Sequence, residues 1–396
     1  MKVPLLDLKA QYKTIKPDID AALIRTAESQ NLILGPEVET LEKNLAEYLE
    51  CKHVIGVSSG TDALLIALMA IDLKPDDEVI IPTYSFFATA GVVSRLNAKP
   101  VFIDSDPVTF NLDPEKLRSL ITKKTKAIVP VHLYGQSSEM DKIMEIANEH
   151  NLKVIEDGAQ SIGTQYKDGR KAGNIGHIGC YSFYPSKNLG CFGDGGLVTT
   201  NDDVLAEKLR ILRVHGGKPK YHHKIIGGNF RIDAIQAAVL NVKLPHLDSW
   251  TKKRQDNAQL YTKLFIKNGL AEEEGKLKYD DKNNVLLPEP VYKKNNLKYY
   301  HIYNQYVIRV NNRDEVRKFL TENEIGTEIY YPVPFHMQEC FAYLGYKKGD
   351  FPVSELCAAD SIALPIYPEL TNEQIEFIVV TIKKFQKKIE SKGFNK

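Results

Sequence analysis

The sequence predicts an α/β fold: a mostly parallel sheet flanked by helices, followed by a smaller C-terminal α+β domain. Three observations lead there. Between about residues 53 and 200, short β-rich runs alternate with longer segments of helical spacing, the pattern of a parallel sheet with covered faces. Runs such as AIVPV (127–131) are almost continuously apolar, as strands buried on both sides require. Beyond about residue 270 the composition turns polar, with KYDDKNN and YKKNNLKYY reading as connectors. The 396 residues exceed the usual single-domain range, so two domains are expected. We place them at 1–245, a large α/β domain with an N-terminal arm, and at 246–396.

In chain order, residues 15–50 are helical, broken by a Gly-Pro turn at 33–36. Strands are predicted at 53–57, 78–81, 100–103, 127–131, 153–156 and 180–183. Helices are predicted at 63–71, 88–96, 114–121 and 140–148. Residues 201–265 carry long helical patterns interrupted at 216–228 by a stretch rich in Gly, His and Lys. The last part offers a strand at 302–310, a helix at 313–323 and a terminal helix at 371–388.

Composition narrows the function. The chain is 43% hydrophobic and 26% charged, with 52 basic against 51 acidic side chains for a net charge of +1. That balance argues against a nucleic-acid partner, which needs a basic face. No apolar run reaches the roughly 18 residues of a membrane span, and the acid at Asp7 interrupts any secretory signal. Five widely spaced cysteines without a CxxC pair suggest neither a disulfide framework nor a structural zinc. The expectation is a reduced, cytoplasmic enzyme with neither a nucleic-acid nor a membrane partner.

The chemistry concentrates in three places. Lys187 comes just after the predicted strand 180–183 and precedes glycines at 190, 193, 195 and 196. A lysine so placed is anchored yet reachable from a cleft, and can form a Schiff base with an aldehyde cofactor. Against the ordinary reading of a solvated loop lysine stand the four glycines and an acid upstream. That acid, Asp157, closes the strand KVIED, where α/β proteins place their ligands. A carboxylate there can hold a pyridine nitrogen protonated, although a strand-end Asp is more often a cap. Third, Ser58-Ser59-Gly60-Thr61-Asp62 opens a helix directly after a strand, which suits either a phosphate cup or a plain helix cap. Neither GxGxxG after a strand nor GxxxxGK[ST] occurs, so dinucleotide and P-loop readings fall away.

Together, Gly60–Leu64, Thr83–Ala90 (TYSFFATA), Glu156–Gln160, Ser182–Gly190 and Gly228–Asp233 resemble, in order, the motifs of the PLP-dependent nucleotide-sugar aminotransferases, the DegT/StrS group. The resemblance extends over nearly the whole chain. It implies a fold type I, aspartate-aminotransferase-like architecture, pyridoxal 5'-phosphate as cofactor, and a homodimer with shared active sites. By motif position Lys187 is the Schiff-base lysine, Asp157 the pyridinium partner, and Gln160 the neighbour of the phenolic oxygen. Gly60, Thr61 and Ser182 hold the phosphate, Phe86 stacks on the ring, and Asn229 reaches the phosphate of the neighbouring subunit. Arg231 faces the sugar or braces its loop. Tyr330-Tyr331-Pro332 and Phe335-His336 match a segment usually reading HYP…LH, which makes Tyr331 and His336 sugar-pocket candidates and leaves Tyr330 in place of a histidine.

The implied reaction moves the amino group of glutamate to a nucleotide-linked ketosugar in cell-surface polysaccharide or lipopolysaccharide biosynthesis. The 213–223 stretch looks most like enzymes acting at C3 of UDP-linked 3-keto-N-acetylglucosamine-type sugars, with C4 or dTDP-ketosugar enzymes as alternatives. A dehydratase branch carries histidine where this chain has Lys187. A non-catalytic PLP-binding regulator is the competing class. Because the net charge is near zero, the sugar's diphosphate needs local cations, and the candidates are Arg213, Lys218, Lys220 and Lys224 with Arg231 nearby. The histidines 215, 222 and 223 lack an acidic or thiol companion, so a substrate loop is expected there and no metal site.

Overall fold

The computed structural model describes residues 1–272 and 285–391; the predicted KYDDKNN connector lies outside them. Helix α1 (Leu8–Ser29) is capped by Asp7, whose carboxylate accepts from the Ala10 N–H at 2.9 Å. The expected break follows, with Gly35 at φ 78° and Pro36 opening α2 (Pro36–Leu49). Glycine tolerates that left-handed backbone, and proline's missing N–H costs nothing at a first helical turn.

Seven strands form the main sheet: β1 (His53–Val57), β2 (Glu78–Pro82), β3 (Lys99–Ile103), β4 (Thr125–Ile128), β5 (Lys153–Asp157), β6 (Ile178–Ser182) and β7 (Gly196–Thr200), in the order β1-β7-β6-β5-β4-β2-β3. All run in one direction except β7, which is antiparallel to both neighbours. Six strands fall where the alternation placed them. β4 stops at Ile128, short of the predicted 131. Pro130 has no N–H for a ladder, and its carbonyl instead accepts from the Asp157 N–H at 2.8 Å. β7 was not foreseen, because its glycine-led GLVTT reads as the tail of a loop.

Helices cover both faces. Six consecutive residues of α3 (Gly60–Ala70), Ala63 to Leu68, are buried, and the helix packs against β5, β6 and β7. Such a helix is apolar all round because it has no solvent face. With α4 (Ala88–Arg95) and parts of α6 (Asp203–Arg213) it fills one core. α2 and α7 (Ala234–Lys243) cover another part of the sheet, and α5 (Met140–Glu149) a third.

A separate core gathers α8 (Leu247–Lys267), α9 (Arg313–Glu322), the two-stranded sheet of β8 (Tyr306–Arg309) and β9 (Ser361–Leu364), and α11 (Asn372–Ser391). Chain segments cross between the cores. Val3 joins the C-terminal one by pairing with Glu324 and Gly326. Phe335, Phe341 and Phe351 run back to surround Phe102 of β3, with ring centroids 5.6–6.4 Å away, and α10 (Pro352–Asp360) follows them. The strand predicted from 302 begins only at Tyr306. Residues 302–305 are claimed elsewhere: the N–H groups of Ile302 and Asn304 donate to Gly135 O (3.0 Å) and Tyr134 O (2.9 Å).

Candidate active site

The site lies at the C-terminal edge of the parallel strands, where helix starts and loops converge. After β1, Ser59 adopts an extended backbone, and its Oγ accepts from the Asp62 N–H at 3.0 Å. The hydroxyls of Ser58 and Ser59 donate to the Asp62 carboxylate at 2.6 and 2.9 Å. Gly60 and Thr61 then begin α3 with N–H groups that have no helical acceptor. Glycine is needed there: a Cβ on Gly60 would stand 2.6 Å from the Ser182 Cβ. Gly196, paired with Val57 and Ser182, is as tight, since its Cβ would meet Ser59 O at 2.4 Å. These contacts draw Ser182 against the helix start.

Asp157 ends β5 and is buried. Its carboxylate accepts from Thr89 Oγ1 at 2.8 Å and from the Ala159 N–H at 3.1 Å. Burial pushes its pKa up, against the pull of those bonds and of Lys187. Burial pushes the half-buried Lys187 ammonium down, to about 8, with Asp157 opposing. The lysine is held through its own N–H, which donates to Tyr184 O at 2.8 Å. Its neighbour Asn188 donates to Ile302 O at 3.1 Å and accepts from Asn304 Nδ2 at 2.7 Å.

Gln160 has both ends of its amide engaged. Oε1 accepts from the Tyr134 N–H at 2.6 Å, and Nε2 donates to the Tyr331 hydroxyl at 3.1 Å. Three aromatics compete for the ring-facing position after β2, and the fold sorts them. Tyr84 is buried, with its hydroxyl on Tyr330 O and Ser361. Phe87 packs on Phe341, with centroids 5.7 Å apart. Phe86 remains 55% exposed, beside the Tyr331 ring at 6.0 Å.

One cavity of about 510 Å³ is lined by Gly60, Thr61, Phe86, Asp157, Gln160, Ser182, Lys187 and Tyr331, together with Tyr184, Asp194, Gln305 and Tyr330. The set fits pyridoxal 5'-phosphate on its own chemistry. A glycine-tight helix start faces an anion, a depressed lysine offers a free amine, and a buried carboxylate and an exposed aromatic flank the space between.

Other expected residues lie outside this cavity. His336 is buried, with Nδ1 on Thr83 Oγ1 and Nε2 on Glu355, both at 3.0 Å. It therefore braces the 335–355 segment and is not among the residues that line this cavity. Arg213 is buried against Glu42 and Gly56 O, so it is no free cation for a diphosphate. Lys218 pairs with Glu207, and Lys220 sits 5.1 Å from the centroid of the Tyr221 ring. Neither lines the Lys187 cavity of its own chain, nor do Asn229 and Arg231. Arg231 pairs with Val57 through backbone, and its Nε has no hydrogen-bond partner among the described residues.

Thr89, Tyr134 and Gln305 were not read from the sequence as site residues. Glu156 also gains a role. It is buried beside Asp157 in the strand, and its carboxylate accepts from His132 Nε2 and from the Gly173 and Ile175 N–H groups, each at 2.7 Å. Burial would raise its pKa, but those donors hold it below the usual carboxylate range. Of the adjacent acids, one ties the sheet to residues 173–176 and the other faces the cavity.

Comparison with known proteins places the chain. The sequence profile of the DegT/DnrJ/EryC1/StrS aminotransferase family matches residues 13–383. A Geobacillus stearothermophilus protein called a pleiotropic regulatory protein is 49% identical over 97% of this chain and 99% of its own. The UDP-N-acetyl-3-dehydro-α-D-glucosamine 3-aminotransferase of Acidithiobacillus ferrooxidans is 39% identical over 96% of this chain and 97% of its own. The crystal structure of S. venezuelae DesV, in complex with a ketimine intermediate, superposes with a TM-score of 0.89 at 38% identity, covering 97% of this chain and 98% of that one.

Proposed function

The chain belongs to the DegT/DnrJ/EryC1/StrS aminotransferase family, whose cofactor is pyridoxal 5'-phosphate, and from that membership we propose that it transfers the amino group of glutamate to C3 of a UDP-linked 3-keto-N-acetylglucosamine-type sugar. The observation that carries the catalytic reading is the meeting of a lysine depressed to about 8 and a buried aspartate in one cavity behind a glycine-tight helix start. The sugar assignment rests on the 213–223 segment and on the A. ferrooxidans relative. Acceptance of a dTDP- or C4-ketosugar in preference to the UDP-3-ketosugar would redirect it.

In this reading the bound cofactor supplies an electron sink for the carbon that loses its proton. Lys187 Nζ would hold the cofactor and would serve as the acid–base that takes and returns the proton at the reacting carbon. Asp157, fixed by Thr89 and Ala159, would supply the negative charge beside the ring nitrogen. The N–H groups of Gly60 and Thr61 and the Ser182 hydroxyl would hold the cofactor's phosphate. Gln160, pinned by Tyr134, would serve the cofactor's phenolic oxygen, and Phe86 would cover its ring. The lobe 1–245 holds these groups, and 246–396 supplies the opposite wall through Gln305, Tyr330 and Tyr331.

A regulator that merely binds the cofactor is the second reading, favoured by the name of the G. stearothermophilus relative. Adding glutamate to the protein separates the two: an aminotransferase changes the cofactor spectrum and releases 2-oxoglutarate, and a regulator does neither. The pH dependence gives a second check. Amine-selective labelling of the cofactor-free protein should rise at Lys187 through pH about 8, well below the ordinary lysine value of 10.5. A rise only near the ordinary value would remove the depressed amine from the argument.

Asn229, with Lys218 and Lys220 on the neighbouring hairpin, is proposed to serve the cavity of a second copy in a homodimer. Mixing inactive Lys187→Ala and Asn229→Ala subunits should then restore activity, because one of the two shared sites in each mixed dimer carries neither change. Full activity in a protein that sediments as a monomer would refute this arrangement.

A further inference from the structure

We propose that Gln305 is a specificity residue for the sugar acceptor, its carboxamide hydrogen-bonding a ring hydroxyl of the ketosugar; this rests on the aminotransferase reading above. Gln305 lines the cavity with Lys187, Tyr330 and Tyr331. Its Oε1 is buried and has no hydrogen-bond partner among the described residues. A buried amide oxygen left unpaired opposes folding, and the cavity's other amide, Gln160, has both atoms engaged.

Slack does not explain the orphan. Immediately before it, the backbone is fixed at Ile302 and Asn304 by Gly135 and Tyr134. Arg254 Nη1 donates to Tyr303 O at 3.1 Å. The Asn304 side chain clasps Asn188, the residue after Lys187, at 2.7 Å. Gln305 is thus held rigidly on the far wall of the reaction cavity, with its polar end unspent.

The chemistry selects the occupant. The charged side chains lining the cavity are Lys187, Asp157 and Asp194. The carboxylates of an amino donor bring only acceptors and cannot satisfy an amide oxygen. A hydroxyl donates to that oxygen and can also accept from the amide nitrogen beside it. The rings of Phe86, Tyr184, Tyr330 and Tyr331 add flat apolar flanks suited to the C–H face of a sugar.

The test uses the cofactor-loaded protein, with glutamate for the donor half and UDP-N-acetyl-3-dehydro-α-D-glucosamine, or the dTDP-ketosugar if the parent prefers it, for the acceptor half. Gln305→Leu and Gln305→Met should each lower kcat/KM for the ketosugar about tenfold or more. Glutamate kinetics in the donor half-reaction should stay within about twofold, since no donor group meets Gln305. Calorimetric affinity for the aminated nucleotide sugar should fall in parallel, and this arm reads Gln305 even if the parent fails to turn over glutamate, which would count against the aminotransferase reading alone. Unchanged ketosugar affinity and kcat/KM overturn the proposal. So does an equal loss in both half-reactions, which would assign the amide to the cofactor. Weaker subunit association with unchanged sugar kinetics also overturns it, because the oxygen then belongs to a contact between copies.

Discussion

Lys187→Ala is expected to cut turnover by about 10⁴-fold or more, because one amine serves as attachment point, leaving group and proton carrier. Borohydride should fix the cofactor to the peptide containing Lys187 in the parent and to no lysine in the variant. The fold should survive. Burial lowers the Lys187 pKa from 10.5 to about 8, so between those values the unfolded chain binds a proton that the folded chain has released. The group's contribution to stability therefore rises with pH across that window, and its penalty is complete below it. At pH 7 the alanine variant should melt no lower than the parent, apart from any packing lost with the aliphatic stem. Turnover within tenfold of the parent, or a reducible attachment that persists, would end the assignment.

Asp157→Asn should lower kcat about 10²–10³-fold, the usual scale for removing one preorganised electrostatic group. The change preserves shape: the Thr89 hydroxyl and the Ala159 N–H sit at 2.8 and 3.1 Å from separate carboxylate oxygens, and an amide can meet both. What disappears is the negative charge. The loss should appear in both half-reactions, since each needs the same electron sink, and the spectrum should report a ring nitrogen that no longer keeps its proton. A variant impaired with the ketosugar alone would place Asp157 at the substrate and away from the cofactor.

The fold was readable where periodicity was strong. Six strands of the main sheet announced themselves as apolar runs with no solvent-facing alternation, because both their faces are covered. β7 stayed hidden because its apolar residues follow Gly195, crowded by Cys191 and Phe183, and Gly196, crowded by Ser59, and such glycines look like loop. Lys187 and Asp157 could be read as a pair because Asp157 ends a strand, Lys187 lies in the glycine-rich loop just after one, and each has a chemical reason to be there. His336 could not be placed, since the same side chain serves a sugar pocket or a buried bridge and only the position of Glu355 decides. Gln305 was obscured by the apolar run around it, which suggested a continuous strand from 302. The competing backbone partners at Gly135 and Tyr134 lie far away in sequence and leave no local trace.

The reversed strand β7 has a consequence for how this molecule can vary. Residues 183–195 leave the sheet at Ser182 and re-enter at Gly196, its direct partner in the adjacent strand, so the segment behaves as a closed ring with both feet one ladder spacing apart, about 4.8 Å. Deleting a residue from such a ring cannot be absorbed by drift at an end. It must displace Lys187 or slip the ladder by one, turning Leu197 and Thr199 to the opposite face. The crossovers between the parallel strands are open arcs, in which a longer helix or loop spills outward at little entropic cost. Length is therefore a free variable nearly everywhere around this sheet and a fixed one at the lysine.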